Sequence, residues 1–200
     1  MGMQIQSATF ETSSPDLESC PESTLPEFAF IGRSNVGKST LINTLTNKKD
    51  LAIVSSKPGR TRLINFFLIN KKWTLVDLPG YGYAKAPGKD REKFNEFVSD
   101  YLVNRENRDC VFVLIDSRLT PQKLDLEFTS WLVHYQIPFV LVFTKTDKVK
   151  WGAVEKNIGL FKDAMADFCD GMPRIFTCSS KTGKGRGEIL NFIGQALSMR

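Results

Sequence analysis

One octapeptide constrains the fold more than any other feature of this 200-residue chain. Gly32-Arg33-Ser34-Asn35-Val36-Gly37-Lys38-Ser39 fits GxxxxGK[ST], the pattern of a phosphate-cradling loop between a strand and a helix. Both flanks agree. Phe28 to Ile31 is a short apolar run ending at Gly32, the signature of a buried strand, and Leu41, Ile42 and Leu45 mark the apolar face of a helix. Glycine at each end lets backbone N–H groups close around a phosphate, and the helix N-terminus adds partial positive charge. Lys38 is the side chain that reaches terminal phosphates, and the Ser39 hydroxyl can ligate Mg2+. Gly32, Arg33, Ser34, Asn35, Val36, Gly37, Lys38, Ser39 and Thr40 are therefore the expected phosphate-side contacts.

A chain committed to strand–loop–helix here should continue in the same style, and it does. Leu63–Ile69 and Trp73–Val76 read as a hairpin around Asn70-Lys71-Lys72, and Cys110–Ile115, Phe139–Phe143 and Arg174–Cys178 as further strands. Helical spacing joins Phe94, Phe97, Val98, Tyr101 and Leu102. It recurs in Leu124, Phe128, Leu132 and Tyr135, in Val154, Ile158, Phe161, Met165 and Phe168, and in Ile189, Leu190, Ile193 and Leu197. Strands alternating with helices predict an α/β domain over residues 26–200: a mostly parallel, six-stranded sheet with helices on both faces. The aromatic stripes are core. Residues 1–25 read as an acidic N-terminal extension, with a weak hint of an edge strand at Ile5, Ala8 and Phe10. In a parallel sheet ligands bind beyond the carboxyl ends of the strands. The polar segments after Ile31, Val76, Phe143 and Cys178 all fall there, so four loops should converge on one site.

Composition narrows the class. No apolar run approaches the ~20 residues of a membrane span. Four cysteines without a CxxC, and one histidine, argue against zinc. The N-terminus lacks a secretory or transit pattern, which points to the cytoplasm. Net charge is +5, but residues 1–25 carry −4 and residues 48–93 carry +7. The basic stretch is a solvated face or a surface for an anionic partner.

Three more motifs occupy the expected loops. Asp77-Leu78-Pro79-Gly80 follows an apolar strand: Asp77 can hold Mg2+, usually through water, and Gly80 can offer its N–H to a terminal phosphate. In Thr144-Lys145-Thr146-Asp147, read as a TKxD guanine-recognition loop, Asp147 accepts from two guanine N–H donors. Adenine has no such pair. Lys145 lays its stem on the base. Ser179-Ser180-Lys181 suits the remaining base contact, with the Ser180 N–H toward guanine O6. In the polar loop 47–62, Thr61, within Pro58-Gly59-Arg60-Thr61-Arg62, is the best hydroxyl to close onto Mg2+ and the γ-phosphate, with Gly59 beside it. Ser39, Thr61 and Asp77 are thus the candidate metal ligands. Lys38, Thr61 and Gly80 are the candidate catalytic contacts.

In their order, GRSNVGKS, PGRTR followed by INFF, DLPGYGYA, TKTDK and SSKTGKG resemble the TrmE–Era-like GTPases, and within them the EngB ribosome-biogenesis GTPases of bacteria. The likeness covers residues 26–200. It implies a Ras-like P-loop fold, GTP and GDP binding with Mg2+, GTP hydrolysis, and a role in assembling the large ribosomal subunit from rRNA and ribosomal proteins, hence in growth and division. A monomer without a membrane partner is expected. Tyr81 stands where many relatives of the wider class place Gln to orient water, so intrinsic turnover should be slow. Asn35 matches the asparagine with which potassium-stimulated relatives hold K+; otherwise it only stabilises the loop. Thr144 replaces the commoner Asn of NKxD, which leaves open how the base loop is tied to the phosphate loop. Two alternatives are a signalling-type GTPase switch with a protein or membrane partner, and an ATP-using motor or kinase. Asp147 speaks against the second.

Overall fold

A computed structural model describes residues 2–52, 63–81 and 88–200, the side chains of 88–95 excepted. The strands are β1 (Ala8–Ser14), β2 (Glu27–Gly32), β3 (Ile64–Ile69), β4 (Trp73–Asp77), β5 (Arg108–Asp116), β6 (Phe139–Thr144) and β7 (Ile175–Thr177). The helices are α1 (Lys38–Thr46), α2 (Gly88–Asn104), α3 (Lys123–His134), α4 (Trp151–Met165) and α5 (Arg186–Ser198). Strands and helices alternate along most of the chain, the α/β pattern expected from the sequence.

The strand order is β1-β3-β4-β2-β5-β6-β7. Strands β4, β2, β5, β6 and β7 run parallel, whereas β3 is antiparallel to β4 and β1 to β3. The sheet therefore has seven strands rather than the expected six. The added one, β1, comes from residues 1–25 and pairs Ala8 with Ile69 and Ser14 with Ile64. Its pattern was faint because only Ala8 and Ser14 are buried, at its two ends. The register skips Glu11, between Phe10 and Thr12, leaving a bulge. The Asn70 side chain fastens the chain just before β1, accepting from the N–H groups of Gln6 and Ser7 and donating to the Gln4 carbonyl. Asn70 and Lys71 both have positive φ, 51° and 55°, which two-residue hairpin turns require and Asn tolerates.

Interior strands are buried on both faces, as all of β2 and β4 are, and so lack alternation. One face packs Phe28, Phe30, Trp73, Phe112 and Phe176 under α1 and α5. The other packs Ile31, Phe66, Val113 and Phe143 under α2, α3 and α4. Phe30 stacks on Phe112 at 4.6 Å, and Phe143 meets Phe161 edge-on at 5.7 Å. Among the described side chains the predicted stripes are core, with a correction in α3: Leu124 and Tyr135 are exposed, and Leu126, Phe128, Trp131 and Leu132 face the sheet instead. The Phe94 side chain lies outside the described ones. Cys110 and Cys178 are free and buried within it, and burial pushes both thiols up to about 12. No helix among the described residues is long and apolar enough to cross a membrane. Because β2, β4, β5, β6 and β7 run the same way, Gly32, Asp77, Asp116, Thr144 and Thr177 end at one edge of the sheet.

Candidate nucleotide site

The phosphate loop leaves β2 at Gly32. A Cβ there would lie 2.8 Å from the Leu114 carbonyl oxygen and 2.9 Å from Val36 Cγ1, so only glycine lets β2 and β5 approach with the loop folded over them. Asn35 has φ 63° and Gly37 φ 102°, and this pair of left-handed residues turns the chain into α1. The Val36 side chain plugs into the core beneath.

Lys38, at the start of α1, forms an ion pair with Asp77, the last residue of β4. Asp77 is only 4% exposed. Register sets the pair: β2 and β4 align Phe30 with Asp77, and the Leu78 N–H continues to the Phe30 carbonyl at 3.0 Å. Beyond Pro79 the chain lies directly on the phosphate loop. A Cβ on Gly80 would come within 2.5 Å of the Gly32 carbonyl oxygen, so a side chain at Gly80 would push the two loops apart.

The base side is built from β6 and β7. The Thr144 hydroxyl donates to the Val36 carbonyl at 2.7 Å, so a threonine in place of Asn ties the base loop to the phosphate loop. Lys145, at φ 61°, folds back so that its Nζ donates to the Asn35 carbonyl at 2.5 Å and to Asp116 Oδ2 at 3.0 Å. Its stem thereby crosses the space between the two loops. Burial raises the Asp116 carboxyl, but the hydrogen bonds from Arg118 and Lys145 outweigh it and leave the group below its ordinary value. Thr146 anchors to the Cys178 carbonyl through both its N–H and its hydroxyl. Asp147 Oδ1 accepts from the Ser179 hydroxyl at 2.7 Å, and this bond holds its carboxyl below the usual range. Asp147 is thus an oriented carboxylate, ionised at neutral pH. Ser180 and Lys181 follow in a turn closed by Gly183 N–H to the Ser179 carbonyl and Ser179 N–H to the Lys184 carbonyl. The close packing of Gly185 on the Thr177 carbonyl oxygen, where a Cβ could not fit, brings this turn against the end of β7.

A family model described as a 50S ribosome-binding GTPase matches residues 27–145. The "Probable GTP-binding protein EngB" of Bacteroides fragilis strain YCH46 is 51% identical, with 96% of this chain and 95% of that one covered. The protein of the same name from Christiangramia forsetii is 50% identical over 96% of each. The chain belongs to the EngB family. Among solved structures, a probable GTP-binding protein EngB superposes with a TM-score of 0.69 at 27% identity, covering 87% of this chain and all of the other. Era bound to MgGDPNP and a 16S rRNA segment has a TM-score of 0.63 at 23% identity, over 87% of this chain and 56% of that one, a likeness of fold.

This EngB-family chain is a GTP-binding GTPase, and the loops expected to serve it do converge. Gly32 through Thr40, Asp77, Gly80, Thr144, Lys145, Asp147, Ser179, Ser180 and Lys181 lie on the strand ends, the loops that follow them and the first turn of α1, at one edge of its sheet. Gly59 and Thr61 lie outside the described residues, as do Lys57, Arg60, Arg62 and Lys85 and the side chains of Lys89 and Arg91. Two residues of this site escaped sequence reasoning. Asp116 ends the apolar strand β5 at the ligand edge, a placement that could have flagged it. Asp125 sits in the first turn of α3, where an acid reads as ordinary helix chemistry. It accepts from both Arg33 and Tyr81.

Proposed function

We propose that this EngB-family GTPase is a nucleotide-gated binder of the assembling large ribosomal subunit. The match over residues 27–145 to a family model described as a 50S ribosome-binding GTPase carries this reading. The chemistry is in-line attack of water on the γ-phosphate. Lys38 leaves Asp77 for the phosphates, and the backbone N–H groups of residues 33–40 and of Gly80 spread over the charge that develops. Asp77 and Ser39 fit Mg2+: a buried carboxylate, and a hydroxyl on the residue after its Lys38 partner, are hard-oxygen donors, and Asp77 needs a cation partner once Lys38 has moved. Bound there, the ion would neutralise phosphate charge. Thr61 is the further hydroxyl proposed for the triphosphate state. Asp147 selects guanine, the Ser180 N–H meets O6, and Lys145 and Lys181 flank the base. The exposed Asn35, with its carbonyl held by Lys145, is proposed to help hold K+ beside the phosphates. Turnover is slow because Tyr81 replaces glutamine. The protein works in the cytoplasm as a monomer, and its action supports growth and division.

The basic stretch 48–93 spans both segments that would answer to the γ-phosphate. Binding to large ribosomal subunits is measured with GDP and with a non-hydrolysable GTP analogue across a salt series. The GTP form should bind more tightly, with the difference shrinking as salt rises. An affinity that follows salt and ignores the nucleotide would leave only a generic basic patch.

A further inference from the structure

Asp125 is buried in α3, 1% exposed, and no step of the chemistry uses it. Its carboxylate takes a hydrogen bond from the Tyr81 hydroxyl at 2.7 Å and from Arg33 Nε at 3.2 and 3.3 Å. Those two donors come from different loops, and the loops touch each other at the neighbouring residues. The position of a Gly80 Cβ lies 2.5 Å from the Gly32 carbonyl oxygen and 3.5 Å from the Arg33 carbonyl carbon and the Ser34 nitrogen. Gly80, Tyr81, Asp125, Arg33 and Gly32 therefore form a closed circuit in which one helix carboxylate holds both sides of a loop-to-loop contact. Phe128, one turn along α3, stacks on the Tyr81 ring at 4.3 Å with 21° between planes. It fixes the ring while Asp125 fixes the hydroxyl. On the other side of Gly80, the Leu78 N–H is held by the Phe30 carbonyl. Gly80 is thus suspended between two anchored neighbours.

We propose that Asp125 is a positioning residue: by clasping Tyr81 and Arg33 it holds the Gly80 N–H beside the phosphate loop and so sets how much more tightly GTP binds than GDP. The proposal rests on the reading of Gly80 as the γ-phosphate contact. An ion pair whose carboxylate is buried is a poor source of stability, because desolvation cancels much of its attraction, but it fixes relative position well. The same bond commits the Tyr81 hydroxyl to α3, so it does not take over the water-orienting task of the glutamine it replaces.

Tyr81→Phe is the sharpest test, since it deletes one hydroxyl and keeps the ring on Phe128. Asp125→Asn tests the other end. Affinities for GDP and a non-hydrolysable GTP analogue are measured by fluorescence titration of the full chain, with melting midpoints recorded alongside. Each variant should lose about 5- to 30-fold in affinity for the GTP analogue and less than about twofold for GDP. The double variant should lose little more than the worse single one, because both cut one circuit. Equal losses for the two nucleotides, or a lowered melting midpoint with unchanged affinities, would make the cluster merely structural and overturn the proposal. Should Asp125→Asn fail to fold, Tyr81→Phe decides alone. Gly80→Ala separates the two layers. If it leaves the GTP-to-GDP ratio unchanged, the γ-phosphate reading falls and the clasp with it. If it shifts the ratio while Tyr81→Phe does not, only the clasp is wrong.

Discussion

Thr144 shows how one hydroxyl can stand in for an amide. Asparagine, the commoner residue at its position, has two donors and a longer reach. Threonine has one O–H, and it is spent on the Val36 carbonyl at 2.7 Å, with the Ile115 carbonyl as a second neighbour at 3.2 Å. The reach that threonine lacks comes from Lys145, which extends to the Asn35 carbonyl and is steadied by Asp116. Asp116 is the pivot of this arrangement. It also takes a forked pair of bonds from Arg118 at 2.9 and 2.8 Å. Its carboxyl lies below the ordinary 3.8 in the folded chain, so between that lowered value and 3.8 the unfolded chain binds more protons. The stability it contributes is complete above the ordinary value and is lost as pH falls through the lowered one. Asp116→Asn should cost about 1–2 kcal/mol near neutral pH, or roughly 2–8 °C in melting midpoint for a chain this size. The gap between wild type and variant should stay level down to about pH 5 and close on further acidification. Melting curves at a series of pH values check it; a gap that widened in acid would mean Asp116 is held by something other than its two cations.

At the scale of elements, α1 is braced at both ends by its neighbours. Its start is the phosphate loop. Its last turn leaves carbonyls without intrahelical partners, and Arg186, in the first turn of α5, donates to those of Thr44 and Leu45 at 2.9 and 3.0 Å. One turn from the helix end, Asn43 makes a two-way bond with Ala52: the Ala52 N–H to its Oδ1 at 2.7 Å, and its Nδ2 to the Ala52 carbonyl at 2.9 Å. That amide fixes where the chain leaves α1 for residue 53 and beyond. Asn43→Ala should cost about 1–3 kcal/mol by leaving two buried backbone groups unpaired, and Asn43→Asp, which keeps one acceptor, should recover part of it. Chemical denaturation of the three proteins checks the order; an alanine variant as stable as wild type would show the brace to be idle. The elements most legible in the sequence were those whose burial forces a local pattern. Strands β2, β4 and β6 are near-continuous apolar runs because both their faces are covered, and α4 and α5 show unbroken stripes. The phosphate loop was legible because its chemistry needs consecutive residues. Strand β1 was faint because an edge strand buries little. Asp125 was hidden because its partners, Tyr81 and Arg33, stand 44 and 92 residues away in the chain, and no local pattern records a contact of that kind.

The whole molecule is a sheet with two rims, and each rim ends differently. On one side β7 is only three residues long, Ile175 to Thr177. On the other lies β1, seven residues with nothing paired to its outer side among the described residues. A free strand of that length is a template onto which another chain can add. Its outward residues include Phe10, 53% exposed and resting edge-on against Phe67 at 5.8 Å, which would favour such addition. The skipped residue at mid-strand acts against it. At Glu11 the ladder loses step, an irregularity that bends and twists a strand, and the residue left over at mid-edge is an exposed acid. Removing the charge with Glu11→Val should leave the unfolding free energy within about 0.5 kcal/mol of wild type and raise the rate at which concentrated solutions scatter light. No increase in scattering would show that the bend alone suffices. The expected consequence is colloidal: one skipped residue at mid-edge denies a foreign strand the straight seam along which it would add to the fold, and crowded solutions should stay clear for that reason.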